Sequence, residues 1–223
     1  MLSITEENYI KNILGHELES QNDLGIGTNE LASRLAVKPS SVNVMVKKLR
    51  DKTLIYYEKY GKIHLTEQGH LLGMEIIRKH RLWETFLYEK LDFTWGEVHE
   101  VAEQLEHIQS VKLVEKLDKF LGYPATDPHG DAIPDKHGKI EKISKQLLSN
   151  SVAGERYRMV AVKDSSAAFL NYVHELGLGI NNSISVISKL DFDHSMEIET
   201  EGKIVRVSKK FSDNVFVVLN KKD

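Results

Sequence analysis

The chain reads as mainly α-helical with small β parts: a winged helix-turn-helix first, then a helical middle segment, then a small C-terminal barrel of SH3 type. Three observations predict this. Apolar residues recur at helical spacing through most of the first 121 residues. A helix, a turn, a second helix and a basic hairpin follow one another between residues 28 and 65. After Tyr157, short apolar runs alternate with polar turns.

Residues 4 to 18 form the first predicted helix, with Tyr9, Ile10, Ile13 and Leu14 apolar and Thr5 as its expected N-cap. The polar stretch from Gln21 to Gly25 ends it. Thr28 is expected to cap a short helix bearing Leu31, Ala32 and Leu35. A further helix starts with Pro39 in its first turn, where a missing N–H costs nothing. Its buried stripe is Val42, Met45, Val46 and Leu49, which turns Ser40, Ser41, Lys47 and Lys48 outward with Asn43 at the border. Leu54 to Leu65 then makes a hairpin turning near Tyr60-Gly61.

Thr66 caps a long helix through Leu72, Ile76, Leu82 and Leu87, and the stretch from Trp95 to Ile108 forms the next. Ser110 caps another that stops at Gly122-Tyr123-Pro124. Residues 123–138 hold three of the four prolines and make a stiff loop, and the charged stretch from Lys139 to Asn150 joins domains. Five strands are expected within Met159–Val162, Ile184–Ile187, Met196–Ile198, Ile204–Val207 and Val215–Leu219, with one helix from Ala167 to Leu176.

Composition narrows the chemistry. The 223 residues contain no cysteine, so disulfides, thiolate metal sites and cysteine nucleophiles are excluded, and any metal must be held by nitrogen and oxygen. No apolar run approaches the ~18 residues of a membrane span. Nor does the N-terminus have the basic start and apolar core of a signal peptide, so a cytoplasmic location is expected. Net charge is only −3. Residues 38 to 62 nevertheless carry Lys38, Lys47, Lys48, Arg50, Lys52, Lys59 and Lys62 against Asp51 and Glu58, a localised basic surface. Small polar Ser40, Ser41 and Asn43 at a helix start can approach bases and phosphates, while Lys47, Lys48, Lys59 and Lys62 supply backbone contacts.

On a helical wheel, His99, Glu103, Glu106 and His107 fall within an arc of about 100°, opposite Val98, Val101, Ala102, Leu105 and Ile108. That polar arc holds only groups that bind metals. His80 and Glu84 on the preceding helix repeat the i, i+4 pairing of His99 and Glu103, and Asp127 and His129 in the stiff loop add two more potential ligands.

Taken together, the N-terminal winged helix, His80-Arg-Leu-Trp-Glu84, His99-Glu-Val-Ala-Glu-Gln-Leu-Glu-His107, the loop Asp127-Pro-His-Gly-Asp-Ala-Ile-Pro134 and the small C-terminal barrel resemble the metal-dependent repressors of the diphtheria toxin repressor and manganese transport regulator family. The resemblance covers essentially the whole chain. It implies a winged-helix DNA-binding domain at 1–74, a metal-binding and dimerisation domain at 75–147, and an SH3-like (FeoA-like) domain at 148–223. It further implies a homodimer on double-stranded operator DNA, with no membrane partner, repressing metal-homeostasis genes when Mn²⁺ or Fe²⁺ binds. The reading surface is expected to comprise Pro39, Ser40, Ser41, Asn43, Lys47, Lys48, Lys59 and Lys62.

Carried over residue by residue, the primary metal site uses Glu103, Glu106 and His107 with the residue at position 8. Family members carry aspartate or methionine there. This chain has Asn8, one negative charge fewer than aspartate, with Glu7 as the neighbouring substitute. The second site draws on His80, Glu84 and His99, or on Glu84, Asp127, His129 and a C-terminal carboxylate for which Asp164 is the candidate. An all nitrogen and oxygen donor set favours Mn²⁺ or Fe²⁺, with Zn²⁺ or Co²⁺ binding in vitro.

Two rival readings stand beside this one. A metal-dependent hydrolase or oxygenase would use two histidines and a carboxylate, yet His99-Glu100-Val-Ala-Glu103 is not the His-Glu-x-x-His of zinc proteases. A winged-helix protein whose histidines are structural would bind its operator regardless of chelator.

Overall fold

The computed structural model describes residues 2–19, 25–57, 61–141 and 144–220. Gln21 to Leu24 of the expected helix break, Lys59 of the expected reading surface and Tyr60 of the hairpin turn lie outside them. Two compact units result: Met1–His80 with Glu103–Glu115 and Ile133–Ile140, and Arg81–Ala102 with Lys116–Ala132 and Glu141–Asp223.

In the first unit, α1 (Ile4–Glu19) begins at a capping box that Ser3, not Thr5, provides: the Ser3 N–H donates to Glu6 Oε2 (2.8 Å) and the Glu6 N–H to Ser3 Oγ (3.3 Å). The sequence Ser-x-x-Glu carries that signature just ahead of the threonine. Helix α2 (Thr28–Arg34) starts from Gly27 with no side-chain cap, so Thr28 is its first residue and not its cap. Helix α3 (Pro39–Asp51) has Pro39 in its first turn and buries Val42, Val46 and Leu49 completely, with Met45 partly buried. Exposed on it are Ser40, Ser41, Asn43, Lys47 and Lys48. Strands β1 (Ile55–Tyr57) and β2 (Ile63–Leu65) pair antiparallel, and Ile26 adds an isolated antiparallel bridge to Ile63. Tyr9, Ile10 and Ile13 pack with Leu31, Leu49, Leu54 and Ile63 into one core, the three-helix base and wing that the hydrophobic periodicity requires.

Helix α4 (Glu67–Lys90) is capped by Thr66, whose Oγ1 accepts the Gly69 N–H (3.0 Å). Helix α5 spans only Val98–Leu105, so Glu106 and His107 sit in the turn after it and not on its face. Ser110 Oγ accepts the Leu113 N–H (3.4 Å) at the start of α6 (Val111–Phe120).

In the second unit, six antiparallel strands run in the order β3-β8-β4-β5-β6-β7: β3 (Gln146–Leu147), β4 (Arg156–Val162), β5 (Ser183–Lys189), β6 (Met196–Thr200), β7 (Lys203–Val207) and β8 (Val215–Leu219). The five expected strands are all present, and β3 joins them. Helix α7 (Ala167–Glu175) starts at Ser166, whose Oγ accepts the Phe169 N–H, and a four-residue α8 (Lys209–Ser212) precedes β8. Met159, Leu170, Ile184, Ile198, Phe211 and Val217 fill the core.

Candidate metal centres

Among the described residues, ligand-type side chains gather in each unit. In the first, α1 presents Glu7 and Lys11 one turn apart. Glu7 is buried, and its carboxylate takes both His107 Nδ1 (2.6 Å) and the Gln109 side-chain amide (2.6 Å). Glu106 is 1% exposed. Its Oε2 meets His80 Nδ1 (2.5 Å) and the Lys11 ammonium (2.7 Å), while its Oε1 lies 3.8 Å from His107 Nε2. Burial alone would raise the Glu106 carboxyl. The hydrogen bond from His80 and the charge of Lys11 more than reverse this and hold it below the ordinary carboxylate range. Glu103 is half exposed and reaches Lys11 at 3.7 Å.

Among the described residues, Asn8 accepts the Asn12 side-chain amide at its backbone carbonyl (2.9 Å), and its side chain makes no hydrogen bond to Glu106 or His107. The position beside His107 belongs to Glu7. Sequence reasoning names Glu7 only as a substitute and misses Lys11 and Gln109. The Glu7–Lys11 spacing of one helical turn was the available signal.

The second group is built on a loop. Asp127 Oδ1 accepts the N–H groups of His129 (2.8 Å) and Asp131 (2.9 Å), and the Gly130 N–H donates to the Asp127 carbonyl (3.1 Å). This turn needs Gly130 at φ +85, where a Cβ would lie 1.8 Å from the Val160 carbonyl oxygen. The turn aims His129 at α4: its Nδ1 lies 3.7 Å from Glu84 Oε1, its Nε2 donates to the Trp95 carbonyl (3.0 Å), and its ring stacks on Trp95.

One ligand atom each from Glu84, Asp127 and His129 lie within 4.8 Å of one another, and all three residues are buried. His99 Nδ1 also reaches Glu84 Oε1 (3.1 Å). Burial and the nearby charges of Glu84 and Asp131 push Asp127 up to about 7, against the pull of Arg81 and His129. Burial lowers His129, but Glu84, Asp127 and the Trp95 carbonyl outweigh it and bring the imidazole to about 9.

Two buried carboxylates facing one another beside an imidazole are a set that a divalent cation neutralises, and the oxygen and nitrogen donors suit Mn²⁺ or Fe²⁺. Both groups therefore fit the ions expected from the sequence. Asp164 is outside the three: its Oδ1 accepts the Ser166 N–H (2.9 Å) before α7. His80 contacts Glu106 of the first group and lies one turn before Glu84 on α4.

The same turn occurs a second time, in the first unit. Asp135 Oδ1 accepts the N–H groups of His137 (2.8 Å) and Lys139 (2.9 Å), and Gly138 stands at φ +76. Asp-x-His-Gly is thus a repeated local motif that the sequence reading did not pick out. Its second histidine is exposed.

A winged helix with an exposed polar and basic face, together with buried oxygen and nitrogen donor groups, combines the features of a DNA-binding domain with those of candidate metal sites. Residues 1–63 match the iron dependent repressor N-terminal DNA binding domain, residues 66–135 the iron dependent repressor metal binding and dimerisation domain, and residues 146–219 the FeoA domain. The iron-dependent repressor IdeR of Mycobacterium tuberculosis is 32% identical over 130 residues, 58% of this chain and 55% of that protein. The chain thus spans about half the length of the curated relatives it matches first.

Among solved structures, a manganese-dependent transcriptional repressor in complex with manganese is 28% identical with a TM-score of 0.87, over 96% of this chain and 100% of that one. ScaR with bound Cd²⁺ is 32% identical with a TM-score of 0.78, over 96% and 98%. The chain belongs to the iron-dependent, or diphtheria toxin, repressor family, whose members are DNA-binding repressors and not enzymes. The hydrolase or oxygenase reading finds no support.

Proposed function

We propose that the chain is a homodimeric repressor of metal-homeostasis genes whose affinity for operator DNA rises when Mn²⁺ or Fe²⁺ binds. The observation that carries this reading is the buried contact between Glu7 and His107 (2.6 Å). It joins α1, part of the core that supports the reading helix, to the turn bearing Glu106 and His107. Glu103, Glu106 and His107 would hold the ion, with Glu7 or Asn8 completing the set from α1. The ion supplies positive charge where buried carboxylates converge, which favours one fixed placement of α1 against that turn.

The chain's own residues do the rest. Glu6, next to Glu7, binds Lys52 (2.6 Å) and Lys48 (3.3 Å) at the end of α3, so an ordered α1 holds the reading helix in register. Two reading helices must enter major grooves roughly 34 Å apart on two-fold DNA, so a fixed orientation becomes affinity. On the exposed face of α3, Pro39, Ser40, Ser41 and Asn43 would meet bases and Lys47 and Lys48 phosphates, with Lys59 and Lys62, which follow β1 in the sequence, as further phosphate contacts. Lys48 divides its charge between phosphate and Glu6.

The second site would use Glu84, Asp127 and His129, with His99, His80 and Asp164 as further candidates. The middle segment 75–147, which follows domain 1–74 and precedes domain 148–223, would carry the dimer contact. As a regulator of operator DNA it would act in the cytoplasm; no helix among the described residues is long and apolar enough to cross a membrane.

Gel shifts on a candidate operator, with Mn²⁺ and with chelator, test the reading. Binding is expected only with metal and is expected to be lost in Glu106→Gln. Undiminished binding in chelator overturns the reading.

A further inference from the structure

The Lys11 ammonium lies among three groups of the kind that hold metals: Glu106 Oε2 at 2.7 Å, His80 Nδ1 at 3.2 Å and Glu103 Oε1 at 3.7 Å. The lysine side chain is 18% exposed and the Glu106 side chain 1%. A buried carboxylate without a counter-charge is strongly disfavoured, so the fold supplies one from α1. Lys11 is one helical turn beyond Glu7, and the two side chains divide the Glu106-His107 turn between them: Glu7 takes His107 and Lys11 takes Glu106.

We infer that Lys11 is the resident cation of the Glu103–Glu106 group, competing with the divalent ion for it and thereby setting the metal concentration at which the protein responds. The inference rests on the proposed role of Glu106 as a metal ligand. Two cations sharing one carboxylate pair repel each other most where water is excluded. Either the ammonium leaves Glu106 when metal enters, or metal binds against its charge. Both routes weaken metal binding, and both leave the metal-free protein with Glu106 neutralised and its fold secured. Lys11 is therefore a positioning and threshold residue, and not itself a ligand.

The experiment compares wild type with Lys11→Met, which keeps the apolar stem without charge, Lys11→Gln, which keeps a hydrogen-bond donor without charge, and Lys11→Arg, which keeps the charge. Mn²⁺ affinity is measured by calorimetry and the metal-free melting temperature by circular dichroism, with Glu106→Gln added to each background. Lys11→Met or Lys11→Gln is expected to bind Mn²⁺ at least about tenfold more tightly and to melt lower without metal, while Lys11→Arg stays within about threefold of wild type.

Equal or weaker Mn²⁺ binding by both neutral variants, with one bound ion per chain still lost on Glu106→Gln, overturns the competing-cation role and leaves the metal site standing. Because the Glu84, Asp127 and His129 group keeps its own Mn²⁺, the reading is the number of ions bound per chain: a stoichiometry that Glu106→Gln leaves undiminished in every background overturns the site assignment and the role of Lys11 with it.

Discussion

Glu6 and Glu7 are adjacent on α1 and both buried, yet they hold different elements: Glu6 takes Lys48 and Lys52 from the end of α3, while Glu7 takes His107 and Gln109 from the segment after α5. Successive helical residues point about 100° apart, so one turn of α1 connects the reading helix to the candidate metal ligands. Burial raises the Glu6 carboxyl, but Lys52, the Ser3 N–H and Lys48 more than reverse this and bring it to about 2.

Glu6→Ala removes the partner of two lysines on the reading helix and breaks the capping box. A stability loss on the order of 1–3 kcal/mol is expected in denaturant titration. Operator affinity is expected to fall further than Mn²⁺ affinity does, because the Glu7–His107 contact remains. Equal losses in the two measurements would show that Glu6 supports the fold alone.

Asp127 holds its own loop and is a candidate metal ligand, and substitution separates the two. In Asp127→Asn the side-chain amide oxygen still accepts the His129 and Asp131 N–H groups while the repulsion from Glu84 is gone, so metal-free stability is expected to hold or rise. Asp127→Ala loses both hydrogen bonds and is expected to cost about 2 kcal/mol or more. Both variants are expected to lose most of the stabilisation that Mn²⁺ gives through this site, read as the shift in melting temperature on adding metal. A full shift in Asp127→Asn removes Asp127 from the ligand set.

Gly130→Ala puts a Cβ against the Val160 carbonyl at a backbone conformation that side chains resist. A loss of about 1–3 kcal/mol is expected, with more if β4 cannot yield. Hydrogen exchange is expected to rise at the Val162 amide, which donates to the His129 carbonyl (3.1 Å).

Glu17 links α1 to the wing by accepting the Leu65 N–H (3.0 Å). Burial raises its carboxyl above the ordinary value, with the Leu65 amide and neighbouring histidines opposing. A raised carboxyl favours the folded state while protonated, and that contribution is lost as pH rises through the raised value. Glu17→Gln keeps an acceptor and carries no charge. It is therefore expected to gain under about 1 kcal/mol at pH 7, a gain that fades as pH falls toward the ordinary carboxylate value of about 4.3. Melting curves at pH 7 and pH 4 check the sign.

Much of this architecture was legible from periodicity, because core burial fixes which face of a helix or strand turns inward. Val42, Val46 and Leu49 on α3 and the five C-terminal strands follow directly from it. The residue types gathered at the candidate sites were also legible, since a chain without cysteine that clusters His and Glu leaves few alternatives. Less legible was how those residues are shared. A helical wheel carried through Ile108 puts Glu106 and His107 on the face of α5, but the helix ends at Leu105, and end points depend on local hydrogen bonding that periodicity does not encode. The partners of Glu106 come from α1 and α4, at sequence separations of 95 and 26 residues, and no local pattern specifies such pairs. The expected caps at Thr28 and Thr5 fall one and two residues late, where more than one residue offers a suitable hydroxyl or backbone.

The Asp-x-His-Gly turn has a consequence for how such a site can arise. Its hydrogen bonds run from the aspartate to its own loop and the glycine supplies the left-handed backbone, so the turn forms in the same way around His129, where it is buried, and around His137, where it is open to water. The histidine is a passenger on a self-sufficient scaffold. Offering it to a metal then requires only that a neighbouring surface close over it, so within one chain the two copies show an imidazole enclosed beside candidate ligands and one left in water.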